Sequence, residues 1–148
     1  MVDYVLNEWL WADATGDNGT PRQAESFRLL EALSRSNDRI VVVSGSSFHN
    51  KAWRLCVASS RPALEIAKFF KLRFLYDPAR CFILPESELP EFPSALMGIK
   101  DDDQYLIRAQ LKVPDSIIVT TDTPLKTVLD LASRACELRE IFVRRYLG

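Results

Sequence analysis

Glycine and histidine are scarce here: five glycines and one histidine, His49, in 148 residues. No glycine-rich phosphate loop follows the first apolar run, so a nucleotide-binding turn of that kind has no footing in the sequence. Cys56, Cys81 and Cys136 are odd in number, far apart and without zinc spacing, which excludes a disulfide framework and points to reduced core thiols. No apolar run is long enough to span a membrane, and the start of the chain lacks the basic and apolar segments of a secretion signal. A cytoplasmic protein with no membrane partner is therefore expected. The net charge of -1 gives no global pull toward nucleic acid, so RNA binding would require a local basic face. No acid occurs between Ile40 and Val57.

What is present suffices for one domain, residues 1–148, around one sizeable core, since 47% of the residues are hydrophobic. The most informative stretch runs from Ile99 to Lys126. Asp101 with Gln104 three residues on has the form of a capping box, and Tyr105, Leu106, Ala109 and Leu111 give the helix that follows a buried side. Pro114-Asp115 breaks it. Ile117, Ile118 and Val119 are a β-branched run suited to a strand buried on both faces, and the run ends in Thr-Thr-Asp before Thr123-Pro124, a cap with proline at the first helical position. Asp122 is thereby placed at the carboxyl end of a strand, where open parallel sheets bind ligands.

The rest of the chain alternates strands and helices. Tyr4-Val5-Leu6 reads as a buried first strand ending at Asn7-Glu8, with a turn into a short helix that carries Trp9 and Trp11. Thr20-Pro21-Arg22-Gln23 is a strong helix start, continued by Phe27, Leu29, Leu30 and Leu33 until Ser34 to Asp38 stops it. Ile40 to Val43 is a second buried strand, Pro62 to Phe70 a helix and Arg80 to Leu84 a short strand. Pro85 to Pro93, with three prolines and three glutamates, reads as an exposed loop. Leu125, Val128, Leu129 and Ala132 mark another helix. Glu140 to Leu147 fits either a last edge strand or a continuing helix. The pattern predicts an α/β fold, a three-layer α/β/α sandwich with a central mostly parallel sheet, whose strand ends at Asn7, Ser44 and Asp122 share one edge.

The acid-led helix over 101–111 and the strand ending in Thr-Thr-Asp resemble the C-terminal half of PIN-like domains, small metal-dependent nucleases. The resemblance implies a divalent-metal-dependent endoribonuclease hydrolysing RNA phosphodiesters, with Mg²⁺ or Mn²⁺ held by Asp102, Asp103 and Asp122. It places Asn7 where the family has a metal-binding aspartate, and His49, Asn50 and Lys51 where the family has a glutamate. An amide is a weaker ligand for a hard cation than a carboxylate, and a lysine repels one. Glu8, Asp13 or Glu25 would have to replace the missing charge; Asp3 precedes the first strand and sits at its wrong end. On this reading Asn7 orients a water, Ser44, Thr120 or Thr121 hydrogen-bond around it, and Lys51 and Arg73 contact RNA phosphates. The altered acids equally suit a catalytically inactive PIN-like module that binds RNA or a protein partner, and a homodimer stays open.

Structural explanations compete at each position. Acids in the first turn of a helix favour its macrodipole, which accounts for Asp101 to Asp103 without a metal. Thr123 can cap its helix alone, which leaves Asp122 free for a site. A lone histidine is more often a hydrogen-bonded surface residue than a catalyst, and Trp9, Trp11 and Trp53 suit core or interface better than base stacking. Arg144 and Arg145 would serve as charges that protect an edge strand.

Overall fold

The computed structural model describes residues 1–58 and 60–148. Five strands, β1 (Asp3–Leu6), β2 (Arg39–Val43), β3 (Cys81–Leu84), β4 (Ile117–Thr120) and β5 (Cys136–Leu138), form one sheet in the order β3-β2-β1-β4-β5. Every pairing is parallel, with Val5 opposite Val41 and Ile118, and Ile118 opposite Cys136. The helices are α1 (Trp9–Thr15), α2 (Thr20–Arg35), α3 (Ser47–Ala58), α4 (Arg61–Phe70), α5 (Gln104–Lys112), α6 (Thr123–Leu131) and α7 (Arg139–Leu147). A five-residue π-helical turn, Lys71–Leu75, prolongs α4.

Side chains alternate across a strand, so each central strand feeds two cores. Tyr4, Leu6, Ile40, Val42 and Val119 face one layer, where Leu10, Trp11, Leu29, Leu30, Phe70 and Phe142 of the helices close over them. Val5, Val41, Val43 and Ile118 face the other, against Leu106, Ile107 and Ala109 of α5 and Leu125 and Leu129 of α6. These β-branched strands carry no alternating polar residue because both faces are covered, and each fully buried aliphatic side chain contributes about 1.5–3 kcal/mol. The first aromatic layer is tied further by Trp11 Nε1 donating to the Phe48 carbonyl and Trp9 Nε1 donating to the Val119 carbonyl.

Three expectations are corrected and one open alternative is resolved. The acid run does not open α5 directly. Asp101–Asp103 form a 3₁₀ turn, Gln104 Nε2 donates to Asp101 Oδ1, and the α-helix begins at Gln104. Of the two readings of Glu140 to Leu147 the strand is set aside and the helix holds: residues 139–147 are helical, and the edge strand is Cys136–Leu138 before them. Arg144 and Arg145 therefore lie on a helix rather than on an edge strand, and Arg145 pairs with Glu137 and donates to the Tyr4 hydroxyl. Thr123 does not cap α6; Asp122 does, accepting from the Leu125 backbone N–H at 3.0 Å. Proline at the second helical position lacks a donor, so the cap is asked to satisfy Leu125 first.

Candidate functional site

Because the sheet is all parallel, the carboxyl ends of β1, β2 and β4 lie on one edge, and Asn7, Ser44 and Asp122 follow those strands. Asn7 and Asp122 meet at Thr120. Its buried hydroxyl oxygen lies 3.3 Å from Asn7 Nδ2 and 3.0 Å from the Asp122 backbone N, and it accepts from both. Asn7 Oδ1 in turn accepts from the Glu8 backbone N–H at 2.7 Å. Asn7 thus fastens two strand ends together, with its amide oxygen already engaged.

Asp103 and Asp122, separated by a helix and a strand in sequence, line one cleft of about 130 Å³ together with Gly98, Ile99, Lys100, Pro124 and Leu125. Both are half-buried. Burial, and then the charge of Asp122, push the Asp103 carboxyl above the ordinary carboxylate range; Lys100 opposes this, while Asp102 and Glu8 add to it. Tyr105, the second residue of α5, turns its hydroxyl toward the same edge, 3.4 Å from the Leu6 carbonyl. Its ionisation is raised by burial and then by Glu8 and Asp103. Three acids, Glu8, Asp103 and Asp122, therefore act on one neighbourhood. Glu8 does not line the cleft itself, and Asp102 is exposed outside it.

The remaining candidates divide. Asp13 is fully buried, but its carboxylate receives Arg139 Nε at 2.8 Å and Asn18 Nδ2 at 2.7 Å, and Glu25 receives the other arm of Arg139. Neither stands in for a missing ligand, because both neutralise a buried guanidinium contributed by α7. Asp3 pairs with Arg39 at the opposite end of β1. Arg73 lies beside Glu31, Ser34, Arg35 and Phe69. That is the amino edge, since Arg80, whose carbonyl accepts from Ile40 at the start of β2, also donates to the Ser34 carbonyl. The structure does not bring Arg73 to the cleft.

Lys51 is half-buried on the second turn of α3 and forms no ion pair among the described residues. His49 lies between Gly45 N, 3.1 Å from Nδ1, and Trp53 Nε1, 2.9 Å from Nε2. A neutral imidazole has one acceptor nitrogen, so one of these two contacts at a time is a hydrogen bond. Burial lowers its pKa, which keeps it neutral near pH 7.

Two side-chain carboxylates, those of Asp103 and Asp122, are the donors the cleft offers a cation. Two carboxylates crowd one cleft, one of them is held above its usual range partly by the other, and a cation between them would relieve that repulsion. Among the described residues, no three His, Cys, Asp or Glu side chains gather closely enough to hold a metal. Lys100 and Tyr105 were the neighbours that sequence reasoning passed over. Lys100 stands next to the acid run, whereas Tyr105 read as an ordinary apolar helix position. Among the described residues, no helix is long and apolar enough to cross a membrane. No family model, no curated protein and no solved structure matches this chain.

Proposed function

We propose that this chain is a PIN-like, divalent-metal-dependent endoribonuclease with a reduced acid set, acting on RNA phosphodiesters at the carboxyl edge of the sheet. The observation that carries the reading is the shared cleft of Asp103 and Asp122, two acids from different elements that line one opening. Asp103 and Asp122 would hold Mg²⁺ or Mn²⁺, with Glu8 adding negative potential. A bound divalent ion supplies Lewis acidity toward a phosphate oxygen and a nucleophilic water at neutral pH. Asn7 and Thr120 fix the strand ends, so that Asp122 is presented at a set angle; its other carboxylate oxygen is left for a ligand while Oδ1 caps α6. Lys51 supplies positive charge for a phosphate.

A second reading, a non-catalytic module binding RNA or a protein partner, is favoured by the sparse ligand set and by the engaged amide of Asn7. Calorimetric titration with Mn²⁺ separates the two. The nuclease reading expects saturable binding that Asp122→Asn and Asp103→Asn each abolish, together with RNA cleavage that EDTA stops. No saturable binding at millimolar metal selects the module. EDTA-sensitive cleavage that survives Asp122→Asn removes this cleft as the site.

A further inference from the structure

The net charge of -1 conceals a division. Residues 39–76 carry seven Lys and Arg against one acid, Glu65, while the rest of the chain carries twelve against nineteen. This basic segment is β2, α3, α4 and the π-helical turn. On its surface lie two large aromatic side chains that the core does not use, Trp53 at 38% exposure and Tyr76 at 59%. Their ring centroids are 6.4 Å apart, and Lys71 Nζ sits 5.3 Å from the Trp53 ring and 5.7 Å from the Tyr76 ring. Lys68, one turn before Lys71, is exposed, and neither Lys68 nor Lys71 forms an ion pair among the described residues.

We infer that this face binds single-stranded RNA, with a base stacking on Trp53 and Tyr76 and the backbone phosphates meeting Lys71 and Lys68. Exposed rings beside unpaired cations are what a sequence-tolerant single-strand platform requires: every base offers a π-face, and the phosphates need neutralising charge. A base-paired duplex keeps its bases stacked on one another and offers no free face to the rings. Lys71 also orders the rings before RNA arrives, because its ammonium is attracted to both. The face is connected to the proposed cleft edge. Trp53 Nε1 contacts His49, and His49 contacts the Gly45 N–H just after β2. A strand lying on the platform would thus reach toward the carboxyl edge of the sheet.

The inference rests on the proposed function only in choosing RNA as the probe, and working in EDTA separates the two, since no metal is then required. Full-length chain is titrated with a uridine dodecamer, single-stranded or paired with its complement, while tryptophan emission is followed. Trp9 and Trp11 are buried, so quenching reports Trp53. The single strand should quench saturably and bind more tightly than the duplex. Trp53→Ala, followed by anisotropy of a labelled dodecamer, should weaken binding by about 5- to 150-fold, whereas Trp53→Phe keeps most of it. Lys71→Ala, a surface change that does not depend on tolerating an aromatic deletion, should flatten the log–log salt dependence by about 0.7. Lys112→Ala, an exposed cation on α5, should change neither. Equal binding by parent, Trp53→Ala and Lys71→Ala overturns the inference, as does a preference for duplex. Absence of binding at low salt also overturns it. So does a loss of self-association in the Trp53→Ala chain by sedimentation, with RNA binding intact, which would assign the face to a second copy of the protein.

Discussion

Removing the Asp13 carboxylate tests the claim that this acid is structural. Asp13 is fully buried, and its partner Arg139 is 3% exposed, so Asp13→Ala leaves a guanidinium in the core with Glu25 as its remaining carboxylate. Breaking one side of a buried ion pair costs about 3–5 kcal/mol, and the retained contact to Glu25 places this case toward the lower end. For 148 residues the entropy of unfolding is about 0.3 kcal/mol per degree, so Tm should fall by about 10–13 °C. Asp13→Asn, which keeps an acceptor and the shape, should fall by about half as much. The double substitution Asp13→Ala with Arg139→Met removes both charges and should lose less than the two single changes together. Thermal unfolding followed by circular dichroism supplies all four values. An Asp13→Ala melting point within about 3 °C of the parent would refute the argument. Calorimetry on the folded variant at low temperature adds a second test, since Mn²⁺ binding at the cleft should be unaffected if Asp13 is no ligand.

Three further outcomes follow from the site and the core. Asp103 has a raised folded-state pKa, so the stability tied to its protonated form is present below its unfolded pKa and is lost as pH rises through the folded value. Asp103→Asn should therefore raise Tm near neutral pH and change it little below about pH 4; melts at the two pH values showing the reverse would contradict the shift. Asp122→Ala deletes the cap of α6 and should cost about 0.5–2 kcal/mol, while Asp122→Asn, which caps equally well, should cost almost nothing. Denaturant unfolding that finds equal losses would show that the cap contributes nothing. Burial pushes the Cys81 thiol up to about 12 and Cys136 to about 11, and raises Cys56 as well. At about pH 8 an aromatic disulfide reagent should label native Cys81 last and all three promptly after unfolding; rapid labelling of native Cys81 would contradict its burial.

Local chemistry determined most of the elements. The β-branched runs at 40–43 and 117–119, the Thr20-Pro21 start and the prolines after Leu84 each encode a conformation within a few residues, and each element appears within a residue or two of its expected bounds. The strand-end position of Asp122 was equally legible, because a buried parallel strand carries its hydrophobic run on both faces and stops where the polar residues begin. The C-terminal segment was not. β5 has only three residues, all half-buried, and periodicity cannot speak over so short a length. Nor could sequence reveal that Asp13 is matched by an arginine 126 positions away, or that α6 takes its cap from Asp122 rather than Thr123. Only the packed chain decides which acids are neutralised in the core and which face a cleft, since an ion pair is set by distances between elements that the order of residues along the chain does not contain. For the same reason Asp103 and Asp122 became neighbours through the stacking of α5 against the sheet, and Asp102, the adjacent residue, did not.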